Sequence, residues 1–260
     1  MSTTIAIAHH AGGVGKTTTA LNLAYSLAAA RQKVLLCDLD PQADLTKRLG
    51  IDPARSTLAP ALLHRLRLKE VGVTWERAAL DVIPSNLETM AGMDLALVSA
   101  QKREERLTWA LETVDPDNFV SRYDFILLDC PPALSLLTTN ALYAADRVLI
   151  PVQAQDKAVR QLAPLLQSIE EVQGYRRGAP RILGMLLTMA DRTNQSAQAE
   201  RDLRDAYSAW VFDTVIPRRT ALADDSRYEA PTGVYAPDNP AVQAYHALAQ
   251  EVMNRVEVYA

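Results

Sequence analysis

Seven short apolar runs recur along the chain with few polar interruptions: Thr4–Ala8, Lys33–Asp40, Leu80–Pro84, Tyr123–Asp129, Arg147–Val152, Arg181–Thr188 and Phe212–Pro217. Hydrophobicity that is continuous rather than alternating is what strands show when both faces of a parallel sheet are covered. Longer stretches with helical spacing separate them, at Lys16–Ala30, Asn86–Thr113 (read as two helices), Asp156–Gln173, Ser196–Trp210 and Pro240–Val256. The alternation predicts an α/β fold, a doubly wound, mostly parallel sheet flanked by helices. No Gly/Ser linker, low-complexity tract or internal repeat divides residues 1–260, which read as a single domain with Ile51–Arg77 as a looser excursion.

In such folds ligands bind beyond the carboxyl ends of the strands. There the polar residues collect: His9 and His10 after the first run, Asp38 and Asp40 closing the second, Asp129 closing the fourth. Between the first run and the first helix lies Gly12-Gly13-Val14-Gly15-Lys16-Thr17. Glycines let a backbone curl so that its N–H groups converge on phosphate oxygens, and the helix that follows adds its positive end. Lys16 is placed for the β- and γ-phosphates, the Thr17 hydroxyl for Mg²⁺ and Thr18 for the α-phosphate. The competing reading is a glycine turn with no ligand. Asp129, followed by Cys130-Pro131-Pro132, is a candidate magnesium carboxylate, against a plain strand-end turn. Asp38 and Asp40 sit two apart and share a face of an extended strand; water activation and magnesium binding compete there with helix capping.

Composition narrows the setting. A 48% hydrophobic content supplies a core, and the net charge of −4 requires any nucleic-acid contact to come from a local patch. Cys37 and Cys130 have neither disulfide-framework nor zinc spacing, which fits a reduced cytoplasmic protein. The start lacks the pattern of a signal peptide, and no apolar run reaches the roughly 18 residues that cross a bilayer.

The stretches GGVGKTTTALNLAYSLA and KVLLCDLDPQADLTKRLG resemble the ParA partition ATPases, within the ParA/MinD class of P-loop NTPases. Further blocks, among them YDFILLDCPPALSLLTTNAL and TVIPRR, carry the likeness over almost the whole chain. The resemblance implies an ATPase using ATP and Mg²⁺, with Asp40 polarising the attacking water, Asp38 and Asp129 around the metal, and Pro217 and Arg218 beside the adenine. It also implies an ATP-dependent homodimer, non-specific DNA binding, a ParB-type partner and a nucleoid-associated role in chromosome or plasmid segregation. No helix-turn-helix precedes the loop, so operator-specific autoregulation is not expected.

The chain departs from that pattern in three places. Ala11 stands where the family has a lysine that reaches across the dimer. A trans-acting cation in phosphoryl transfer is worth about 10³–10⁵ in rate, so slow turnover and weak dimerisation are expected, and a nucleotide-binding regulator with little turnover is the alternative. His9 and His10 read as strand-end residues, since a neutral imidazole is a poor substitute. Gln155 replaces a family glutamate, and Asp44 is either a nucleotide sensor, as in nitrogenase-type relatives, or a solvated helix start.

Between Arg176 and Arg227 nine arginines face seven acids, which suggests a phosphate-tracking surface, with Arg192 and Arg219 as the leading DNA contacts; a scattered solvated face is the bland reading. The last helix has Val242, Tyr245, Leu248, Val252 and Val256 at helical spacing but lacks a basic face, so it is expected to pack on the core rather than on a membrane. The iron–sulfur branch of the class is disfavoured by the placement of the two cysteines, and a metabolic P-loop enzyme such as an amidoligase is a third, weaker reading.

Overall fold

The computed structural model describes residues 2–52, 57–63, 66–112, 119–155 and 158–258. Its strands are β1 (Thr3–Ile7), β2 (Val34–Asp38), β3 (Val73–Trp75), β4 (Leu80–Ile83), β5 (Phe125–Asp129), β6 (Arg147–Gln153), β7 (Arg181–Ala190) and β8 (Val211–Pro217). They form one sheet in the order β3-β4-β2-β5-β1-β6-β7-β8. Every described pairing is parallel except β3 with β4. All seven predicted runs are strands. The eighth, β3, lies inside the stretch read as an excursion; three residues on an antiparallel edge are too few to show periodicity.

The helices are α1 (Lys16–Ala29), α2 (Asp44–Arg48), α3 (Leu58–Leu62), α4 (Leu68–Val71), α5 (Leu87–Met90), α6 (Met93–Val98), α7 (Arg106–Glu112), α8 (Leu136–Ala144), α9 (Ala163–Tyr175), α10 (Asn194–Tyr207), α11 (Asp225–Tyr228), α12 (Thr232–Tyr235) and α13 (Pro240–Val258). The two helices expected over Asn86–Thr113 are three, because Gly92 at φ +77° breaks the first turn series and a turn follows Val98. The helix expected from Asp156 begins at Ala163 with Pro164 in its first turn, where the missing N–H costs nothing. Thr113, Asp156 and Lys157 lie outside the described residues.

Alternation along the strands sorts the core onto two faces. Ala6, Ala8, Leu35, Cys37, Ile126 and Leu128 turn toward α6–α9. Ile5, Ile7, Leu36 and Leu127 turn toward α1 and α13. The last helix buries Val242, Tyr245, Leu248 and Val252, and the Tyr245 hydroxyl meets Thr19 Oγ1 of α1 at 3.3 Å. It is a core-packing helix, as its spacing predicts.

Two registers position the site. β5 lies between β1 and β2, with Ile7 opposite Asp129 on one side and Asp38 opposite Asp129 on the other. The loop after β1 therefore opens directly above two carboxylates on neighbouring strands. On the far side β7 supports the loop, its Thr188 hydroxyl donating to the Val14 carbonyl at 2.9 Å.

β7 also contains Gly184, and its neighbours explain the missing side chain. Arg255 lies 4.2 Å over the Phe212 ring and donates to the Leu183 and Val211 carbonyls. A Cβ on Gly184 would stand 2.5 Å from that ring and 2.8 Å from Arg255 Nη1. Gly184→Ala is expected to destabilise the fold by about 1–3 kcal/mol, seen as a lower denaturant midpoint at unchanged m-value. An unchanged midpoint would show that the ring swings aside freely.

Candidate functional site

β1 ends at Ile7, and its last carbonyl accepts from Cys130 N, which ties the loop base to the end of β5. The loop then turns on Gly13 (φ +76°) and Gly15 (φ +92°), both in the left-handed region that side chains disfavour. Gly15 is the N-cap of α1 and offers no side chain, so the first N–H groups of that helix are open to a ligand.

His9 organises the start of the loop. It is buried, and its Nδ1 accepts the Ala11 N–H at 3.0 Å. Burial, His10 stacked at 4.9 Å, and Lys16 push its pKa down to about 4. His9 is thus neutral at pH 7 and serves as an acceptor. It stands beside the loop as structure, in agreement with the strand-end reading.

Lys16 is 6% exposed, and its Nζ donates to the Ala11 carbonyl at 2.9 Å. Burial lowers its pKa, while Asp129, Cys130 and Asp40 pull it back up. An ammonium has three N–H donors, so the bond to Ala11 leaves two. The Ala11 backbone is engaged on both sides, by His9 and by Lys16, while its methyl is only partly buried.

Asp129 is fully buried, and neither carboxylate oxygen accepts a hydrogen bond of normal geometry. Its pKa is pushed well up, first by burial and then by Asp38; the nearby Thr17 hydroxyl and the Lys16 ammonium pull it part of the way back. Asp38 is buried as well but fully employed. Its Oδ1 accepts Asp40 N at 3.1 Å, and its Oδ2 accepts the Thr46 N–H at 3.0 Å and hydroxyl at 2.7 Å. Burial raises its pKa to about 7 despite those bonds. The capping role that the Asp38–Asp40 spacing left open is thus real for Asp38, which holds the start of α2. Asp40 accepts Gln42 N on Oδ1 at 2.9 Å, and its backbone carbonyl accepts the Ser85 hydroxyl at 2.8 Å. Its second oxygen has no hydrogen-bond partner among the described residues, and the side chain faces the cleft.

The cleft itself has a volume of about 450 Å³ and is lined by the loop glycines, Lys16, Thr17, Thr18, Asp40 and, across from them, Pro132 and Met189. Roomier clefts occur elsewhere, but none joins a glycine loop to a buried lysine and a strand-end carboxylate. The orphaned Asp129 oxygens beside the Thr17 hydroxyl fit a hard divalent cation that keeps most of its waters and takes few protein ligands. Among the described residues no group of three or more His, Cys, Asp or Glu side chains could hold a metal alone, so the cation would need a ligand's oxygens as well.

Arg48 and Asp44 at the two ends of α2 also line the cleft and pair with each other at 3.0 Å. Sequence reasoning considered Asp44 and missed Arg48; its signal was the i,i+4 acid–base spacing. Thr46, Ser85 and Thr188, which hold Asp38, Asp40 and the loop, carried no signal at all.

Pro217 and Arg218 lie one strand further out and do not line the phosphate cleft. Pro217 pairs with Ala190, and Arg218 stands 3.9 Å from Asp191. Arg192, Arg218 and Arg219 are all exposed on the adjacent loops after β7 and β8. The nine arginines do not form one surface. Arg176, Arg177 and Arg181 lie at the opposite end of β7, whose ten residues separate them from Arg192 by roughly 30 Å. Cys37 and Cys130 are buried, and burial pushes both thiols up, so neither is a reactive group.

Residues 2–179 match the family model described as an AAA domain. The chain is 39% identical over 254 residues to the chromosome partitioning protein ParA of Caulobacter vibrioides, covering 96% of this chain and 94% of that one. It is 40% identical over 257 residues to the chromosome-partitioning ATPase Soj of Thermus thermophilus, covering 97% and 96%. Among solved structures it is similar to cobyrinic acid a,c-diamide synthase from Mycobacterium smegmatis with bound ADP and magnesium, at TM-score 0.84, 30% identity and coverage of 100% and 97%.

The buried carboxylate gives a test that needs no ligand. An acid whose pKa is raised on folding binds more protons folded than unfolded, so its contribution to stability falls as pH rises above the unfolded value near 4. Asp129→Asn is therefore expected to stabilise the nucleotide-free protein at pH 8, by on the order of 1–3 kcal/mol, with the gain vanishing toward pH 4. Melting curves of both proteins across that range check it; a gain independent of pH would mean that charge burial is not the cause.

Proposed function

Because this chain belongs to the ParA/Soj family of chromosome-partitioning ATPases, we propose that its cleft binds Mg-ATP and hydrolyses it slowly in a DNA-associated partition cycle. The observation that carries this reading is the unpartnered, buried Asp129 directly beneath a glycine loop and a buried lysine. In this reading the N–H groups of Gly12, Gly13, Val14 and Gly15 and the start of α1 bind the phosphates. Lys16 keeps one donor on Ala11 and turns the other two to the β- and γ-phosphates. Thr18 takes the α-phosphate, and Thr17 with Asp129 and Asp38 holds the magnesium. Asp38 acts from behind, since its lone pairs already position Asp40 and α2. Magnesium, when bound, neutralises charge on the phosphate oxygens. Asp40 orients the attacking water through its unengaged oxygen, and Pro217 and Arg218 flank the adenine.

Slow turnover follows from position 11. Its methyl supplies no cation to a partner's phosphates, and His9, neutral and engaged with Ala11 N, does not replace one. The same feature favours a second reading, a nucleotide-binding positioning protein with little turnover and no ATP-sandwich dimer. Ala11→Lys separates them. The partly buried methyl leaves room for a longer side chain, so the variant should fold normally, dimerise more tightly with ATP and hydrolyse at least about tenfold faster. Solution mass and phosphate release report both effects. Wild-type turnover equal to that of the lysine variant would refute the argument from Ala11.

DNA association rests on Arg192 and Arg219, exposed together beyond β7 and β8, and a ParB-type partner is expected to stimulate hydrolysis. Binding to unrelated duplexes should be equal and should fall steeply with salt. Alanine at either arginine should weaken every duplex alike and reduce the salt slope by about one. Turnover that needs a small-molecule acceptor and ignores DNA would favour instead an amidoligase-type activity; the Mycobacterium smegmatis protein is named a diamide synthase.

A further inference from the structure

Among the described residues lining the phosphate cleft, Arg48 is the one side-chain cation besides Lys16. Its Nη1 donates to Thr18 Oγ1 at 3.1 Å and its Nη2 to Asp44 at 3.0 Å. Asp225 stands 3.8 Å from Nη1, and Nε is buried without a partner. Asp225 belongs to α11 and is itself fixed, accepting from Thr232 Oγ1 at 2.8 Å, Tyr235 O–H at 2.7 Å and Asn22 Nδ2 at 3.4 Å. The guanidinium is thus clamped between a carboxylate of its own helix and a buried one from the far end of the chain. Close packing holds the two parts together: a Cβ on Gly50, just past α2, would strike the Glu229 side chain at 2.6 Å.

The consequence falls on Thr18. A hydroxyl has one proton and two lone pairs, and a guanidinium can only donate. Thr18 Oγ1 is therefore the acceptor in this pair, and its single proton is released from any bond to Arg48. Thr18 lines the cleft, so the proton is available to an anion there, and the nearby positive charge strengthens it as a donor.

We propose that Arg48 is a positioning residue for nucleotide binding, which orients Thr18 as a donor to the α-phosphate and adds a positive charge at that end of the cleft within the same subunit. This rests on reading the cleft as a nucleotide site. It differs from the contribution missing at Ala11, which would come from a partner subunit and act on the partner's nucleotide.

A double-mutant cycle tests it, with Mg-ATP and Mg-ADP affinities measured for wild type, Arg48→Ala, Thr18→Val and the double variant. Each single change should weaken both nucleotides by about tenfold, and equally, because ATP and ADP share the α-phosphate. The double variant should be no weaker than Thr18→Val alone by more than about threefold. Arg48→Ala strands Asp225, so two further variants guard the test. Arg48→Lys keeps the charge and should show an intermediate loss at unchanged melting temperature. Arg48→Ala with Asp225→Asn removes the buried pair together and should bind as weakly as Arg48→Ala. Wild-type affinity in a folded Arg48→Ala, or in the Asp225→Asn combination, overturns the proposal while leaving the cleft reading intact. So do losses that simply add. Thr18→Val binding like wild type overturns it too, and absence of nucleotide binding by the wild type removes the function reading along with it.

Discussion

One buried ammonium among three carboxylates governs this molecule. Lys16 sits beneath the loop with Asp129 and Asp40 close by and Asp38 beside Asp129, and the two strand carboxylates are wholly excluded from solvent. Asp38 is stabilised by three hydrogen bonds, Asp40 by one and Asp129 by none of normal geometry. The surplus negative charge is tolerable because it is either held as protons or met by a bound cation. Such a site is unfavourable for the empty protein and favourable for the loaded one, which is the thermodynamic condition for binding to be coupled to a change of state.

The sheet makes this cluster unavoidable. With β5 threaded between β1 and β2, parallel register sets Asp38 against Asp129 on one face, the face that α1 covers. The glycine loop leads from β1 onto α1, so Lys16 and Thr17 are delivered over the carboxylates by chain connectivity alone. Everything further out adjusts that core. Thr188 anchors the loop from β7, Ser85 anchors Asp40 from beyond β4, and His9 holds the Ala11 N–H.

Position 11, where the resemblance to the partition ATPases implies a lysine, is held by its backbone. Ala11 is not an idle replacement, since its backbone bridges His9 and Lys16. The glycine loop, Lys16 and the strand-end carboxylates are all brought together by one chain. The C-terminal segment contributes on the opposite side, where Asp225 and Asp44 together fix Arg48 against Thr18.

The strands, the loop and its lysine, and the strand-end carboxylates were legible in the residues because each is a local signal. Continuous apolar runs mark doubly covered strands, and glycine spacing before Lys-Thr marks a phosphate turn. The core-packing role of the last helix was equally plain from its spacing. Other features depend on partners distant in the chain, and no local pattern carries them. Asp38 turned out to hold the first turn of α2 because Thr46 folds back onto it, and the Asp129 oxygens to accept no hydrogen bond of normal geometry. The nine arginines looked like one surface but were divided, since a ten-residue strand runs between the two groups. Arg48 acquired its place only when residues some 180 positions away in the chain closed over it, Asp225 among them. The sequence by itself determined which groups could do chemistry, because residue type and spacing set the available donors, acceptors and charges. Tertiary structure alone decided which of them are already satisfied and which are left facing the cleft, because that depends on neighbours brought together by the sheet.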